Sequence, residues 1–185
     1  MSPRIAVLAS GEGTTLQAIM ETCHVVLVIS NNRDSGALRR ARELDVPGVV
    51  VGETAQPDLD ILAILEASGV DLVELAGYLQ KVGKQTLQAY RGRIINTHPS
   101  LLPRHGGKGM YGSRVHQAVL DSGDTETGVT IHHVTDEYDS GAIIAQCVVP
   151  VIIGDTVTSI EERVKKAEKQ LMCTVIQNWN CAEAD

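Results

Sequence analysis

The sequence predicts an α/β fold, a mostly parallel central sheet with helices on both faces. Two observations predict it. Short apolar runs of β-branched residues alternate with segments of helical spacing from residue 4 to residue 99, and the runs lack the polar alternation of a half-exposed strand. Strands buried on both faces and separated by helices are the pattern of a parallel sheet. Aromatic residues make up only 3% of the chain and Phe is absent, so the core is expected to be aliphatic.

Each element follows from its local pattern. RIAVLAS (4–10) reads as a strand, a Gly-rich turn follows, and LQAIMETC (16–23) has helical spacing. HVVLVISNN (24–32) is a strand ending in turn residues, GALRRARELD (36–45) a helix and VPGVVVG (46–52) a strand. DLDILAILEASG (58–69) is a helix stopped at Gly69, VDLVELAGYL (70–79) a strand, VGKQTLQAYRG (82–92) a helix and RIINTHP (93–99) a strand. Beyond residue 112, SRVHQAVLDSG (113–123) is a helix. GVTIHHVT (128–135) and GAIIAQCVVPV (141–151) are strands joined by the hairpin-like loop DEYDSG, and a last helix runs from about 156 to 179.

A chain of 185 residues suits one domain, 1–185, with no linker, repeat or low-complexity segment. A formal net charge of −7 argues against neutralising the phosphates of a nucleic acid, because that mode needs a basic face. The longest apolar runs fall short of the roughly 20 residues that span a bilayer, and no charged-then-apolar leader opens the chain, so a cytoplasmic protein without a membrane partner is expected. Cys23, Cys147, Cys173 and Cys181 show no CxxC pairing and read as reduced, mostly buried thiols.

Ligands of such sheets bind beyond the carboxyl ends of the strands, which draws attention to three loops: 10–15, the one after Leu79, and the one opening at Asn96. In SGEGTTLQ (10–17), the N–H groups and hydroxyls around Gly13, Thr14 and Thr15 stand where a helix N-terminus favours a phosphate. The third glycine of a dinucleotide fingerprint is replaced by Leu16, and the lysine of a P-loop is missing. A tight turn with Thr14 or Thr15 as N-cap is the structural alternative.

Asn96 and His98 are two apart at a strand end, so both side chains leave on one face. An amide beside an imidazole suits an oxyanion forming at a carbonyl, and the imidazole can carry a proton near neutral pH. Pro99 and Pro103 follow and fix the loop. Asp139, in DEYDSG, is placed to accept a hydrogen bond from His98 and raise its pKa, although an Asp before Ser-Gly is also an ordinary turn former. His132 and His133 point to opposite faces of their strand, so one at most reaches a shared site. No metal is expected, because the six His and four Cys lack ligand spacing.

The set SGxGTxLQA, LAGYL, NTHPSLLP, TGVTIHHV and DEYDSG resembles the phosphoribosylglycinamide formyltransferases, folate-dependent enzymes of purine synthesis, over about residues 3–170. NxHPSLLP is shared with the wider formyltransferase superfamily, while GEGTTLQA and GDTVTSIEERVKKAE narrow the likeness. The resemblance implies a Rossmann-like formyltransferase fold, with a nucleotide-phosphate half at about 1–95 and a folate and catalytic half at about 96–185. It implies Asn96, His98 and Asp139 as the catalytic trio, supported by His132. Gly13, Thr14 and Thr15 would hold the substrate phosphate, and Glu168 would contact the glycinamide. Leu79, Gln80, Lys81, Val82, Ile94, Val134 and Tyr138 would form the folate pocket. The co-substrate would be 10-formyltetrahydrofolate, the acceptor glycinamide ribonucleotide, and the protein a monomer or homodimer. Asp139 would hold His98 charged.

The chain departs from other members in a compact stretch between its second and fourth strands and in Gln80-Lys81, where some members carry Arg and an aliphatic residue. A long Gly-rich loop (104–117) also differs and reads as a mobile lid. Two other folate enzymes share the trio. A formyltetrahydrofolate hydrolase is expected to carry a domain before the first strand, which here begins at residue 4, and a methionyl-tRNA formyltransferase a further domain after NWNCAEAD and a basic surface. A non-catalytic module that binds a phosphorylated metabolite would account for GEGTT alone.

Overall fold

The computed structural model describes residues 2–179, so Cys181 lies outside the described residues. The elements in chain order are β1 (Ile5–Leu8), α1 (Thr14–Thr22), β2 (Val25–Ser30), α2 (Gly36–Glu43), β3 (Gly48–Val50), α3 (Pro57–Ala67) and β4 (Leu72–Leu75). They continue with α4 (Lys84–Ala89), β5 (Ile94–His98), α5 (Ser113–Ser122), β6 (Glu126–His133), β7 (Ile143–Pro150) and α6 (Val157–Gln177). The strands form one sheet in the order β3-β2-β1-β4-β5-β6-β7. Two compact units divide the chain, one running through Ile95 and joined by residues from Ile176, the other Asn96–Val175.

In the first unit β1 pairs in parallel with β2 and β4, and β3 pairs in parallel with β2. The chain steps outward through α1 and α2, then returns through α3 to the other side of β1. Because such crossovers are right-handed, α1 and α2 cover one face and α3 and α4 the other. The pairs α1 with α2 and α3 with α4 are in contact. All four residues of β1 and of β4 are buried, as strands covered on both faces must be. The core is aliphatic: Ile5, Val7, Leu8, Leu16, Ile19, Ile29 and Leu72 are fully buried, and Tyr90 is the aromatic residue among the buried hydrophobics.

Two elements of this unit are shorter than the sequence suggests. The strand expected over 70–79 ends at Leu75, because Gly77 turns with φ +72° and the groups beyond it bond elsewhere. The Gly77 carbonyl accepts from Ser10 N–H (3.2 Å), and Leu79 N–H donates to Ser10 Oγ (2.8 Å). The helix expected over 82–92 is confined to 84–89 and starts on Gly83, which has no side chain to cap it. Asp58 of α3 caps it instead, accepting from Gln85 N–H (2.9 Å), Thr86 N–H (3.2 Å) and Thr86 Oγ (2.6 Å). A Cβ at position 83 would lie 2.1 Å from the Asp58 carboxyl carbon, so glycine is what admits the borrowed cap.

In the second unit β6 and β7 are antiparallel, as the hairpin-like loop between them suggested. Val129, Val149, Ile160 and Val164 form its buried cluster, with Leu120 and Leu171 packed against it. Helix α6 opens on a reciprocal cap: Ser159 N–H donates to Thr156 Oγ (3.2 Å) and Thr156 N–H to Ser159 Oγ (2.9 Å). Cys23, Cys147 and Cys173 take part in no disulfide, and they are partly exposed rather than buried. Among the described residues no helix is long and apolar enough to cross a membrane.

Two measurements check this packing. Asp58→Ala removes the cap of α4 and is expected to lower unfolding stability by about 1 kcal/mol in urea titration; an unchanged midpoint would mean that the cap contributes nothing. His116 on α5 is 2% exposed and its Nδ1 has no hydrogen-bond partner. Burial pushes its pKa below 6.5, the Glu161 carboxylate pulls it up, and Lys165 and His98 push it down. The unfolded chain therefore takes up a proton before the folded one, and stability falls as pH drops below 6.5. His116→Leu is expected to shrink the loss of Tm between pH 7 and pH 5, and an unaltered slope would contradict this.

Candidate active site

The second unit gathers four polar side chains at the end of β5 and β6. Asn96 and His98 leave β5 on one face, as their spacing requires. Asn96 Nδ2 lies 3.1 Å from His132 Nε2, His132 Nε2 lies 3.5 Å from Asp139 Oδ1, and Asp139 Oδ2 lies 3.5 Å from His98 Nδ1. His98 and His132 are 3% and 2% exposed, so this line of groups is nearly dry. His133, the next residue along, meets the cluster through its main-chain carbonyl, which His132 contacts.

The ring protons follow from the partners. The carbonyl of His105 can only accept, so His98 Nε2 carries a hydrogen and donates to it (2.8 Å), leaving Nδ1 to face Asp139. By the same reasoning His132 Nδ1 donates to the carbonyl of His133 (2.9 Å), and its Nε2 lone pair receives the Asn96 amide. The pairing of β6 with β7 slips between Ile131 and His132, where β7 carries one extra residue. Such a bulge re-aims the side chain beside it.

Asp139 has φ +53°, a left-handed conformation that Asp tolerates better than most residues. Its loop is held internally by Thr135 Oγ, which bonds the Glu137 carbonyl (3.1 Å) and Ser140 Oγ (2.9 Å). Burial works to raise the Asp139 pKa, but the His132 ring beside it, the nearby His98 and the Gly107 N–H (2.8 Å) hold it below the ordinary value. For His98 the balance goes the other way. Burial is the largest influence on its pKa and, with the His132 and His105 rings, lowers it against the raising effect of Asp139 and the His105 carbonyl. The expectation that Asp139 keeps His98 charged is thus corrected: the site at rest pairs a carboxylate with a neutral imidazole, because a nearly dry pocket penalises the cation.

The NTHPSLLP turn is held by residues that the sequence reading did not single out. Thr130, fully buried on β6, donates from Oγ to the Ser100 carbonyl (2.7 Å) and accepts from Leu102 N–H (3.0 Å) and Gln146 Nε2 (2.9 Å). Gln146 also donates to the Leu102 carbonyl (3.1 Å). Thr130 lies two residues before His132 on the same strand face, which was the available signal. Gly106 sits where a Cβ would come within 2.4 Å of Leu102 and 3.5 Å of the Asp139 Cβ, so it lets the turn close on the carboxylate. Within the loop expected as a lid over 104–117, residues from Ser113 belong to α5, and His105 and Gly107 are bonded to His98 and Asp139.

In the first unit, Gly13 rather than Thr14 or Thr15 is the N-cap of α1, with φ +68° and ψ +33°. Thr15 is buried and Thr14 half-buried. The Glu12 carbonyl accepts from Arg40 Nε (2.8 Å), and Ala37 N–H donates to the Gly11 carbonyl (3.1 Å), which fixes the turn against the start of α2. Ser10 Oγ donates to Asn31 Oδ1 (2.6 Å) while receiving Leu79 N–H, so one hydroxyl gathers the loops after β1, β2 and β4. Of the expected folate residues, Leu79 is 59% exposed, Gln80 and Lys81 are exposed, and Val82 and Ile94 are core residues. Val134 is half-buried, Tyr138 exposed, and Glu168 half-buried on α6.

The sequence matches the formyl transferase family over residues 3–176. This chain is a member of that family. It is 37% identical to the phosphoribosylglycinamide formyltransferase of Haemophilus influenzae, over 94% of this chain and 85% of that protein. It is 40% identical to the chloroplastic phosphoribosylglycinamide formyltransferase of Arabidopsis thaliana, again over 94% of its own length but only 64% of the plant protein. The crystal structure of the Streptococcus pneumoniae phosphoribosylglycinamide formyltransferase superposes with a TM-score of 0.87 at 36% identity, covering 95% of this chain and 97% of that one. The seven-stranded α/β architecture is therefore that of the formyl transferases.

Because the Thr130 hydroxyl satisfies three buried partners, Thr130→Val in this formyl transferase is expected to cost about 1–3 kcal/mol of stability by urea titration. A loss below a few tenths would show that the clamp is replaceable.

Proposed function

We propose that this formyl transferase moves the formyl group of 10-formyltetrahydrofolate to the amine of glycinamide ribonucleotide. The observation that carries the reading is the Asn96, His98, Asp139 and His132 cluster, in a chain that spans most of the length of bacterial relatives bearing that name.

The amine attacks the formyl carbon, a tetrahedral oxyanion forms, and the bond from carbon to the folate nitrogen breaks as the amine proton passes to that nitrogen. Asn96 has a second amide hydrogen besides the one given to His132, and it serves as a donor to the oxyanion. Asp139, held as a carboxylate, takes the proton from the attacking amine and relays it to the leaving nitrogen. His98 starts neutral. A negative charge growing beside it raises its proton affinity, so the proton that Asp139 takes from the amine passes to the facing Nδ1 while the oxyanion exists and returns through Asp139 to the leaving nitrogen, an interaction stronger in the transition state than in the resting site.

The roles given to the other residues belong to the same reading. Gly13, Thr14 and Thr15 hold the ribonucleotide phosphate, supported by the first turn of α1 and its dipole. Glu168 receives the glycinamide. Leu79, Gln80, Lys81, Val134 and Tyr138 meet the folate, with Val82 and Ile94 contributing through main chain and shape, since their side chains are buried.

Formyl transfer is tested by following deformylated folate by absorbance with and without glycinamide ribonucleotide. Turnover should require the ribonucleotide, and Asn96→Ala should lower kcat about 100- to 1,000-fold while KM changes little. His98→Ala should abolish measurable transfer. Folate turnover that ignores the ribonucleotide would replace this reading with the hydrolase, and no turnover with intact ribonucleotide binding would replace it with a phosphometabolite-binding module.

A further inference from the structure

One more ionisable pair of the second unit reaches the cluster, and it does so through main chain. His105 has φ +52°, a left-handed conformation that a non-glycine residue keeps only when its surroundings stabilise it. Its side chain supplies such a restraint: Nε2 donates to Asp124 Oδ2 at 2.7 Å, with the two side chains only 17% and 23% exposed. The other oxygen of Asp124 lies 3.9 Å from Arg104 Nη1, and Arg104 Nη2 bonds Glu126 Oε1 at 3.0 Å. The His105 bond and the Arg104 guanidinium hold the Asp124 pKa below its ordinary value.

From this anchored residue the backbone bonds two groups of the site. The His105 carbonyl receives the Nε2 hydrogen of His98 (2.8 Å), and two residues later Gly107 N–H donates to Asp139 Oδ2 (2.8 Å). Together these two bonds dictate which nitrogen of His98 carries its hydrogen and which face of the Asp139 carboxylate turns toward it. We infer that Asp124 and His105 form a positioning pair, which sets the backbone of residues 105–107 and thereby the tautomer and ring placement of His98.

The alternative is a surface ion pair that merely adds stability. Such pairs typically contribute little, and one that acted only on stability would leave the His98 ring in the folded protein unaltered. The positioning role predicts a change at His98 itself. When Asp124 no longer holds His105, the carbonyl drifts from His98 and the ring loses the acceptor that selects its Nε2–H form. It also loses one of the two influences that raise its pKa.

The kinetic consequence rests on the formyl-transfer reading, but the primary readout does not. In protein labelled with 13C and 15N at histidine and free of substrate, His98 is expected to show the Nε2–H tautomer by NMR. In Asp124→Ala and in His105→Ala it should become a mixture of tautomers, and in Asp124→Ala it should also titrate at lower pH than in the parent. Transfer assays should show kcat reduced about tenfold to a hundredfold with KM within about twofold, as expected when reacting groups are slightly misplaced. His105→Gln, which keeps a donor for Asp124, should recover most of what His105→Ala loses. Unchanged His98 signals in both alanine variants would overturn the inference, as would His105→Gln behaving like His105→Ala at His98. An inactive parent protein with the expected NMR pattern would instead overturn the formyl-transfer reading and leave the positioning pair standing.

Discussion

The Asp139 carboxylate is the interaction on which the site depends. A buried charge is tolerable only if polar partners replace the water it has lost, and here three groups line the carboxylate, of which the Gly107 N–H donates to it. His132 faces one oxygen, while His98 and the Gly107 N–H face the other. Each partner is held in turn by something else: His132 by its own strand and Asn96, His98 by the His105 carbonyl, Gly107 by the backbone that runs on from His105, itself bonded to Asp124. The same dryness that makes the carboxylate demanding keeps His98 neutral. A carboxylate and an uncharged imidazole side by side can share one additional proton between them, which is the quantity that an acyl transfer to an amine has to move.

The fold was legible because its signals are local. Uninterrupted apolar runs as short and β-branched as those of β1 and β2 read as strands covered on both faces, and the segments between them have helical period. The misjudged elements are those whose ends depend on distant groups. LAGYL is as apolar as a strand, yet its hydrogen bonds go to Ser10, nearly seventy residues earlier. The start of α4 was invisible because the residue that caps it stands on another helix.

The same division runs through the site. Asn96 and His98 were conspicuous because an amide and an imidazole end an apolar strand, and Asp139 lies close to them in the structure. Nothing in the residue names, however, could reveal that the acceptor for His98 is a main-chain carbonyl, since every residue has one. The protonation of His98 was misjudged for a related reason. A sequence shows which charges are available nearby but not how little water surrounds them, and here burial outweighs the neighbouring carboxylate.

The extra residue of β7 opposite Ile131 and His132 limits how the hairpin can diverge. Side chains alternate between faces along a strand, so loss of the one β6 residue between Thr130 and His132, opposite that irregularity, would reverse the facing of everything on one side of the gap relative to the other. Thr130, which must reach the NTHPSLLP turn, and His132, which must reach Asn96, would no longer share a side. Descendants of this chain can exchange the exposed residues of the hairpin freely and can lengthen its far end. Between Thr130 and Ile143, by contrast, any tolerated change in length has to come in pairs or be absorbed by the loop, so this stretch should vary in composition long before it varies in spacing.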